Sequence, residues 1–124
     1  MAPSKLRALF LVVEDQEIVA GSVRAMLEHL GCRVLEARSA AEAEALDLRG
    51  VSVAIVDRGL PDDDGLQLAR RLQSKWSIPV AVMSGGPVEP DAELPWLEKP
   101  FGLDRLRALA LQVLGRSENA PDCS

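Results

Sequence analysis

The fold is decided by the stretch LFLVVED, residues 9–15, in which a continuous apolar run meets two adjacent acids. A strand with one solvated face alternates apolar and polar residues, so an uninterrupted apolar run is typical of a strand buried on both faces of a parallel sheet. Open α/β sheets carry their chemistry at the carboxyl ends of such strands. The stretch therefore predicts a central strand that delivers Glu14 and Asp15 to the functional edge of a sheet.

Two further charged residues are placed in the same way. Asp57 ends the apolar run that begins at Val53, and Lys99 closely follows the short run Trp96-Leu97. Three carboxylates at one sheet edge would repel one another strongly in a partly dry cleft unless a cation lay between them. A hard divalent ion held by oxygen atoms removes that conflict. The pattern therefore predicts a divalent metal site with an ammonium group beside it.

Strand-like and helix-like segments alternate along the whole chain. Gly31 ends the first helical pattern, and Ser39 with Glu42 forms a capping box that opens a second helix running through about Leu48. This alternation favours right-handed crossovers and a parallel sheet covered by helices on both faces. The predicted strands are residues 9–13, 33–37, 51–56, 79–83 and 96–98, and the predicted helices are residues 19–30, 39–48, 66–74 and 103–114.

Composition and charge argue against several classes of function. The 124 residues suffice for one domain, and a net charge of -5 argues against a nucleic-acid surface, which needs clustered lysine and arginine. Cys32 and Cys123 do not form a disulfide framework or a metal-binding spacing. The first residues lack the apolar core of a signal peptide, and no apolar stretch approaches the length of a membrane span. We therefore expect a cytoplasmic protein that binds neither nucleic acid nor membrane.

Two segments fall outside the regular pattern. Residues 117–124 predict a loose, disordered tail after a domain of residues 1–116. Between Gly85 and the fifth strand, Pro87, Pro90 and Pro95 each remove a backbone donor and restrict the preceding residue. A regular helix is not expected there.

Four motifs lie at the ends of predicted strands. They are Leu11–Asp15, Val56–Pro61 continuing to Asp64-Gly65, Val82–Gly85, and Lys99-Pro100-Phe101. In these motifs the chain resembles the receiver domain of two-component response regulators, and the resemblance covers nearly its whole length. The resemblance implies an α/β, flavodoxin-like, doubly wound fold with a five-stranded parallel sheet of strand order 2-1-3-4-5. It implies a fourth helix reduced to a loop, as in a single-domain subgroup with a Thr/Ser-Gly-Tyr/Gly motif that is associated with histidine kinases of the HWE type.

The resemblance also implies roles for the acids. Asp57 is the expected phosphoacceptor, a carboxylate nucleophile that forms an acyl phosphate. Asp15 is expected to bind Mg²⁺ directly together with Asp57 and the backbone carbonyl of Gly59, and Glu14 is expected to act directly or through a water. The alternative for Glu14 and Asp15 is that they only cap the first helix, whose N-terminus favours acids.

The same resemblance implies roles for three other residues. Lys99 is expected to pair with Asp57 before reaction and with a phosphoryl oxygen afterwards, next to a cis Pro100. Ser84 is expected to supply the switch hydroxyl, and Trp96 occupies the position of the family's rotating aromatic residue. Taken singly, Lys99 could be an exposed lysine and Ser84 an ordinary turn serine.

The leading interpretation is a signalling protein rather than an enzyme with its own substrate. It would catalyse its own phosphorylation from a histidine kinase or phosphotransfer protein, lose the phosphoryl group slowly, and act as a monomer on a downstream protein target, with no output domain attached. The alternative is a receiver-fold interaction module that works without phosphorylation. A phosphatase of the haloacid-dehalogenase type is disfavoured because Arg58-Gly59, and not an Asp-x-Asp pattern, follows the acceptor.

Overall fold

A computed structural model describes residues 6–86 and 94–118, with side chains described as far as residue 115. These residues form five strands and four helices in alternation, except that β5 follows β4 without a described helix between them. The strands are β1 Leu9–Val13, β2 Arg33–Ala37, β3 Val53–Asp57, β4 Val80–Ser84 and β5 Trp96–Glu98, and the helices are α1 Glu17–His29, α2 Ala40–Ala45, α3 Gly65–Trp76 and α4 Leu103–Glu118.

The strands form one parallel sheet in the order β2-β1-β3-β4-β5. In its register, Leu11 of β1 lies opposite Leu35 of β2 and Ala54 of β3, and Asp57 of β3 lies opposite Met83 of β4. The predicted flavodoxin-like, doubly wound sheet and its strand order are confirmed.

The core lies on both faces of the sheet, which explains the apolar run in β1. Leu11 and Val13 pack on the face covered by α2 and α3, whereas Phe10 and Val12 pack on the face covered by α1 and α4. All four side chains are fully buried. Successive residues of a strand point to opposite faces, so a sheet covered on both sides selects an apolar residue at every position.

The end of α1 shows how glycine positions the next strand. Gly31 has a φ of +92°, a conformation that glycine adopts at little cost. Its amide donates to Glu28 O at 3.0 Å, and the amide of Cys32 donates to Leu27 O at 3.0 Å, as in a Schellman motif. The predicted stop at Gly31 is confirmed, and the chain turns directly into β2.

The predicted end of α2 is wrong. The helix ends at Ala45 and not near Leu48, because the Asp47 carboxylate accepts a hydrogen bond from the amide of Arg49 at 3.1 Å and stabilises a turn instead. This turn places Leu48 in the core. Two other helices run slightly longer than predicted, since α3 continues to Trp76 and α4 continues to Glu118, which includes the first two residues of the predicted tail.

An arginine side chain donates a hydrogen bond to one backbone carbonyl of each edge strand of the sheet. Arg24 of α1 donates to Val34 O of β2 at 3.3 Å, and Arg105 of α4 donates to Trp96 O of β5 at 3.1 Å. Both arginines come from helices on the same face, so they tie the two outer strands to that helical layer.

The prediction that the fourth helix is reduced to a loop concerns residues that mostly lie outside the described ranges. On either side of residues 87–93, Gly85, Gly86, Leu94 and Pro95 belong to neither helix nor strand. None of the described helices combines the length and the apolar composition that a membrane crossing requires.

Candidate functional site

The carboxyl ends of four parallel strands bring the predicted site residues to one edge of the sheet. Glu14 and Asp15 directly follow β1, Asp57 is the last residue of β3, and Ser84 is the last residue of β4. Lys99 directly follows β5 and is joined to Pro100 by a cis peptide bond, as predicted. Parallel strands point the same way, so these separate segments converge.

Three acids form the centre of the site. One carboxylate oxygen from each of Glu14, Asp15 and Asp57 lies within 4.8 Å of the others, and no other group of potential metal ligands of this kind occurs in the part of the chain that the structure describes. Glu14 is 0% exposed and Asp57 is 6% exposed, whereas Asp15 is open to solvent. Such a set of hard oxygen donors fits Mg²⁺, which binds through one or two carboxylates and keeps several waters.

Lys99 lies between two of these acids. Its Nζ is 2.8 Å from Glu14 Oε1 and 3.1 Å from Asp57 Oδ1. The amide of Lys99 also donates to Ser84 O at 2.8 Å, which fixes the start of the side chain against β4. The contact with Asp57 is the one that the sequence predicts, and the shorter contact with Glu14 is additional.

The electrostatics follow from burial and from this shared ammonium. Burial raises the pKa of the Glu14 carboxyl, and the hydrogen bond from Lys99 offsets only part of the rise. Burial opposes the charge on Lys99 too, but its hydrogen bonds to Glu14 and Asp57 outweigh that effect and raise its pKa. The ammonium therefore stays charged over the whole physiological range.

The helix-cap interpretation of the two acids accounts for only part of this geometry. The N-cap of α1 is Gln16, whose side chain makes no capping bond, and Glu14 Oε2 accepts a hydrogen bond from the Gln16 amide at 3.1 Å. Glu14 thus supports the entrance of the helix with one oxygen while the other contacts Lys99. Capping alone gives no reason for the third acid or the lysine.

The backbone of Arg58, directly after Asp57, is hydrogen-bonded on two sides. The Arg58 amide donates to Met83 O at 2.8 Å, and Arg58 O accepts from the Gly65 amide at 2.9 Å. A Cβ atom on Gly65 would overlap the Asp57 carbonyl oxygen, so only glycine fits where α3 begins. The sequence includes Gly65 in the motif, but this steric role is visible only in the structure.

Ser84 lies at the same edge and is almost fully buried. Its Oγ accepts a hydrogen bond from the Gly86 amide at 3.2 Å, so its hydroxyl proton can be donated elsewhere. Gly59, whose carbonyl is a predicted metal ligand, is exposed in the turn after Asp57. Added Cβ atoms at Gly59 and Gly86 would meet nothing within 4 Å, so both glycines border open space.

The acidic run Asp62–Asp64 stabilises the loop after Asp57, and among the described residues it does not belong to a group of potential metal ligands. Asp62 accepts hydrogen bonds from the amides of Ala40 and Ala41, both at 3.0 Å, at the start of α2, and these bonds lower its pKa. Asp64 caps α3 by accepting from the Leu66 amide at 3.1 Å. The turn role was predicted, whereas the link from Asp62 to α2 has no local signal in the sequence.

Arg58 and Trp96 make a contact that sequence reasoning missed. The Arg58 guanidinium lies over the Trp96 ring, 5.8 Å from its centroid, within the range of a cation–π interaction. Trp96 is 7% exposed, and its indole N–H has no hydrogen-bond partner among residues 6–86 and 94–118. These residues are far apart in sequence, so no spacing rule could have indicated the contact.

Comparison with known proteins agrees with this architecture. The family model described as "Response regulator receiver domain" matches residues 10–110. The KDP operon transcriptional regulatory protein KdpE of Escherichia coli (strain K12) is 37% identical over 125 residues, covering 90% of this chain and 54% of that protein. The transcriptional regulatory protein PhoP of the same strain is 30% identical over 122 residues, covering 86% of this chain and 52% of that protein.

A solved structure shows the same fold. The response regulator receiver domain (CheY-like) from Methylobacillus flagellatus superposes with a TM-score of 0.77 at 26% identity, covering 86% of this chain and 98% of that one. The chain spans about half the length of the curated relatives that it matches.

Proposed function

We propose that this chain, which belongs to the response regulator receiver family of bacterial two-component systems, accepts a phosphoryl group on Asp57. The observation that carries the proposal is the position of Lys99, whose Nζ lies 3.1 Å from Asp57 Oδ1 and 2.8 Å from Glu14 Oε1. A partly buried ammonium shared by two carboxylates can turn from one of them to a new anionic oxygen that arrives beside it. This arrangement suits a carboxylate that gains and loses a phosphoryl group.

The donor in this proposal is a phosphorylated histidine of a histidine kinase or a phosphotransfer protein. An oxygen of Asp57 forms the new bond to phosphorus while the bond from phosphorus to the histidine nitrogen breaks, and the bonding electron pair returns to the imidazole. Lys99 keeps the Asp57 carboxylate oriented before the transfer and neutralises a phosphoryl oxygen afterwards. The Ser84 hydroxyl, held by the Gly86 amide, can donate to another phosphoryl oxygen.

Asp15, Asp57 and the Gly59 carbonyl would hold Mg²⁺ in this proposal, with Glu14 contributing through a water. When bound, the ion neutralises the charge that spreads over the equatorial phosphoryl oxygens. Both Glu14 oxygens already accept hydrogen bonds, from Lys99 and from the Gln16 amide, which favours the indirect role for this residue. Asp15 is exposed and can bind an ion that keeps its other waters.

The surface beside Lys99 suits docking of the donor protein. Ile18 at the start of α1 is 87% exposed and lies beside other apolar side chains, so it belongs to a contiguous apolar patch and is not an isolated surface residue. It borders a groove of about 230 Å³ whose lining includes Val19, Met26, Pro100 and Phe101 as well as Lys99. A helix carrying the phosphohistidine could cover this groove and reach Asp57. The type of kinase, including the HWE type, stays a prediction from the resemblance.

The test is phosphorylation by a small donor. Purified protein incubated with Mg²⁺ and acetyl phosphate should gain the mass of one phosphoryl group by intact mass spectrometry, and Asp57→Ala should gain none. Asp104→Ala removes an exposed acid of α4 outside the site and should behave as wild type. Asp15→Asn should lose the increase in phosphorylation that Mg²⁺ causes in the wild type, and its melting temperature should stay nearly unchanged.

Two results would contradict the proposal. A mass gain that survives in Asp57→Ala would move the acceptor elsewhere. No gain in the wild type, with a histidine kinase as donor as well as with acetyl phosphate, would favour the interaction module that works without phosphorylation.

A further inference from the structure

The turn between Asp57 and α3 is held in its middle by side chains. Its first residue, Arg58, is fixed by backbone hydrogen bonds, and its last residue, Asp64, caps α3. Between these ends lies Gly59, whose backbone carbonyl is a ligand of Mg²⁺ in the proposed function. The position of that carbonyl therefore depends also on the contacts that residues 60–63 make.

Asp62 fastens this turn to α2. Its Oδ1 accepts a hydrogen bond from the amide of Ala40, and its Oδ2 accepts one from the amide of Ala41, both at 3.0 Å. These are the first two residues of α2, and the first amides of a helix have no partner inside it. The third amide, of Glu42, donates to the N-cap Ser39 at 3.1 Å. A carboxylate from a distant segment thus completes the cap of α2.

The helix α2 depends on this cap more than a long helix would. It has six residues, and helices this short are not stable on their own. Hydrogen bonds from a helix N-terminus to a carboxylate are strengthened by its charge. Leu60, in the same turn as Asp62, also packs in the same apolar cluster as Ala40 and Ala43. The turn and the start of α2 are therefore expected to move together.

Arg71 of α3 makes a second, weaker link between the turn and α2. Its guanidinium donates to Glu44 Oε2 at 2.9 Å and to Asp63 Oδ2 at 2.6 Å. Arg71 and Glu44 are exposed, and ion pairs at such positions contribute little to stability. The bonds of Asp62 to the helix amides are therefore the main connection.

We infer that Asp62 is a positioning residue. Its two bonds to α2 hold the turn so that the Gly59 carbonyl stays in place for Mg²⁺, and they transmit the arrival of the ion to the start of α2. The inference rests on the proposed function, because it requires Mg²⁺ to bind at Asp15, Asp57 and Gly59. Coupling between two equilibria is reciprocal, so if the cap favours Mg²⁺ binding, then Mg²⁺ must stabilise the cap to the same extent.

The experiment follows Mg²⁺ binding alone, so it needs no phosphoryl donor. The protein labelled with ¹⁵N is titrated with MgCl₂, and NMR reports the amide of each residue. In the wild type, we expect the amide resonances of Ala40 and Ala41 to shift with the same Kd as those of Asp57 and Gly59. Hydrogen exchange of the Ala40 and Ala41 amides should also become slower when Mg²⁺ is saturating.

Three variants separate the hydrogen bonds of Asp62 from its charge. Asp62→Ala removes both bonds, Asp62→Asn removes the same charge but keeps one acceptor oxygen, and Asp104→Ala removes an exposed acid of α4 outside the site. We expect the Kd for Mg²⁺ to rise by about 5-fold in Asp62→Ala, as for the loss of a helix cap. The rise should be smaller in Asp62→Asn and absent in Asp104→Ala.

Salt provides a second separation. An effect of charge alone is screened in about 0.5 M KCl, whereas an effect of hydrogen bonding persists. In Asp62→Ala, the resonances of Asp57 and Gly59 should still shift with Mg²⁺ at the higher Kd, and those of Ala40 and Ala41 should no longer follow them.

Several results would overturn the inference. They are a wild-type Kd in Asp62→Ala, a loss that is equal in Asp62→Asn and disappears in high salt, and wild-type amides of Ala40 and Ala41 that do not respond to bound Mg²⁺. The last of these needs no variant, so it holds even if Asp62→Ala does not fold. Absence of any Mg²⁺-dependent shift at Asp15 and Asp57 in the wild type would instead count against the metal site of the proposed function, and with it against the coupling.

Discussion

Lys99 and Glu14 form the shortest ion pair of the acid cluster, at 2.8 Å, although they lie 85 residues apart in the sequence. Glu14 is fully buried, so the charge of its carboxylate depends on this one ammonium and on the amide of Gln16. Lys99 therefore stabilises the buried Glu14 as well as pairing with Asp57. Its removal tests both roles at once.

Lys99→Met should destabilise the protein by about 3 kcal/mol at neutral pH, because it leaves a buried carboxylate without its partner. Burial already raises the pKa of Glu14, and loss of Lys99 raises it further. A carboxyl whose pKa is higher in the folded than in the unfolded protein stabilises the fold when protonated, and this contribution is lost as the pH rises through the folded value.

The deficit relative to wild type should therefore be larger at about pH 8 than at about pH 5, as measured by urea unfolding at both values. Lys75→Met removes an exposed lysine of α3 and should show little effect at either pH. A deficit that is independent of pH would show that Glu14 does not depend on Lys99.

Gly65→Ala should destabilise the protein by about 1–3 kcal/mol, because the new methyl group overlaps the Asp57 carbonyl oxygen and forces the backbone to shift. The same shift should slow phosphorylation by acetyl phosphate, since it moves the acceptor. Gly59→Ala adds the same methyl group where nothing lies within 4 Å, so it should keep the melting temperature of the wild type. Equal melting temperatures for the two variants would refute the steric account.

Ile18→Ala should lower kcat/KM for phosphotransfer from a histidine kinase by about 5-fold or more, because it removes an exposed apolar anchor beside the acceptor. The rate with acetyl phosphate should not change, since a small donor needs no docking surface. Leu111→Ala, which removes the other large exposed apolar side chain of the described residues, serves as the control and should leave both rates unchanged. A loss of activity toward both donors would place the defect in the acceptor and not in docking.

Gly86→Gln should change the half-life of the proposed acyl phosphate, because it places a polar side chain in open space next to Ser84 at the end of β4, from where it can shield the phosphoryl group or orient a water. The half-life is read from the decay of the phosphorylated mass after the donor is removed. Gly115→Gln, at an exposed position of α4 with equal space, should decay like the wild type. Identical half-lives for all three proteins would show that residue 86 has no influence on hydrolysis.

The sequence predicts those features of this fold that short segments determine. The apolar run of β1 predicts burial on both faces, and the residues that follow β1, β3, β4 and β5 predict the contents of the site, because parallel strands end at one edge. Gly31 predicts the end of α1 because a left-handed residue must follow that helix.

Contacts between distant segments are not predictable in this way. Asp62 reaches the start of α2, and Arg58 reaches Trp96, without any periodicity that would pair them. The early end of α2 depends on whether the Asp47 side chain competes with the helix for backbone amides, which local propensity does not decide. Likewise, the motif indicates the contact between Lys99 and Asp57. It does not indicate the shorter contact between Lys99 and the buried carboxylate of Glu14.

Arg24 and Arg105 affect whether the sheet edges of two copies of this protein can pair. An uncovered sheet edge offers a row of amides and carbonyls on which a foreign strand can grow, and such growth leads to fibrous aggregates. Because Arg24 donates to a carbonyl of β2 and Arg105 donates to one of β5, an approaching strand must first displace the arginine of the edge that it meets. The residues that fasten the outer strands to the helices thus also discourage polymerisation in a crowded solution.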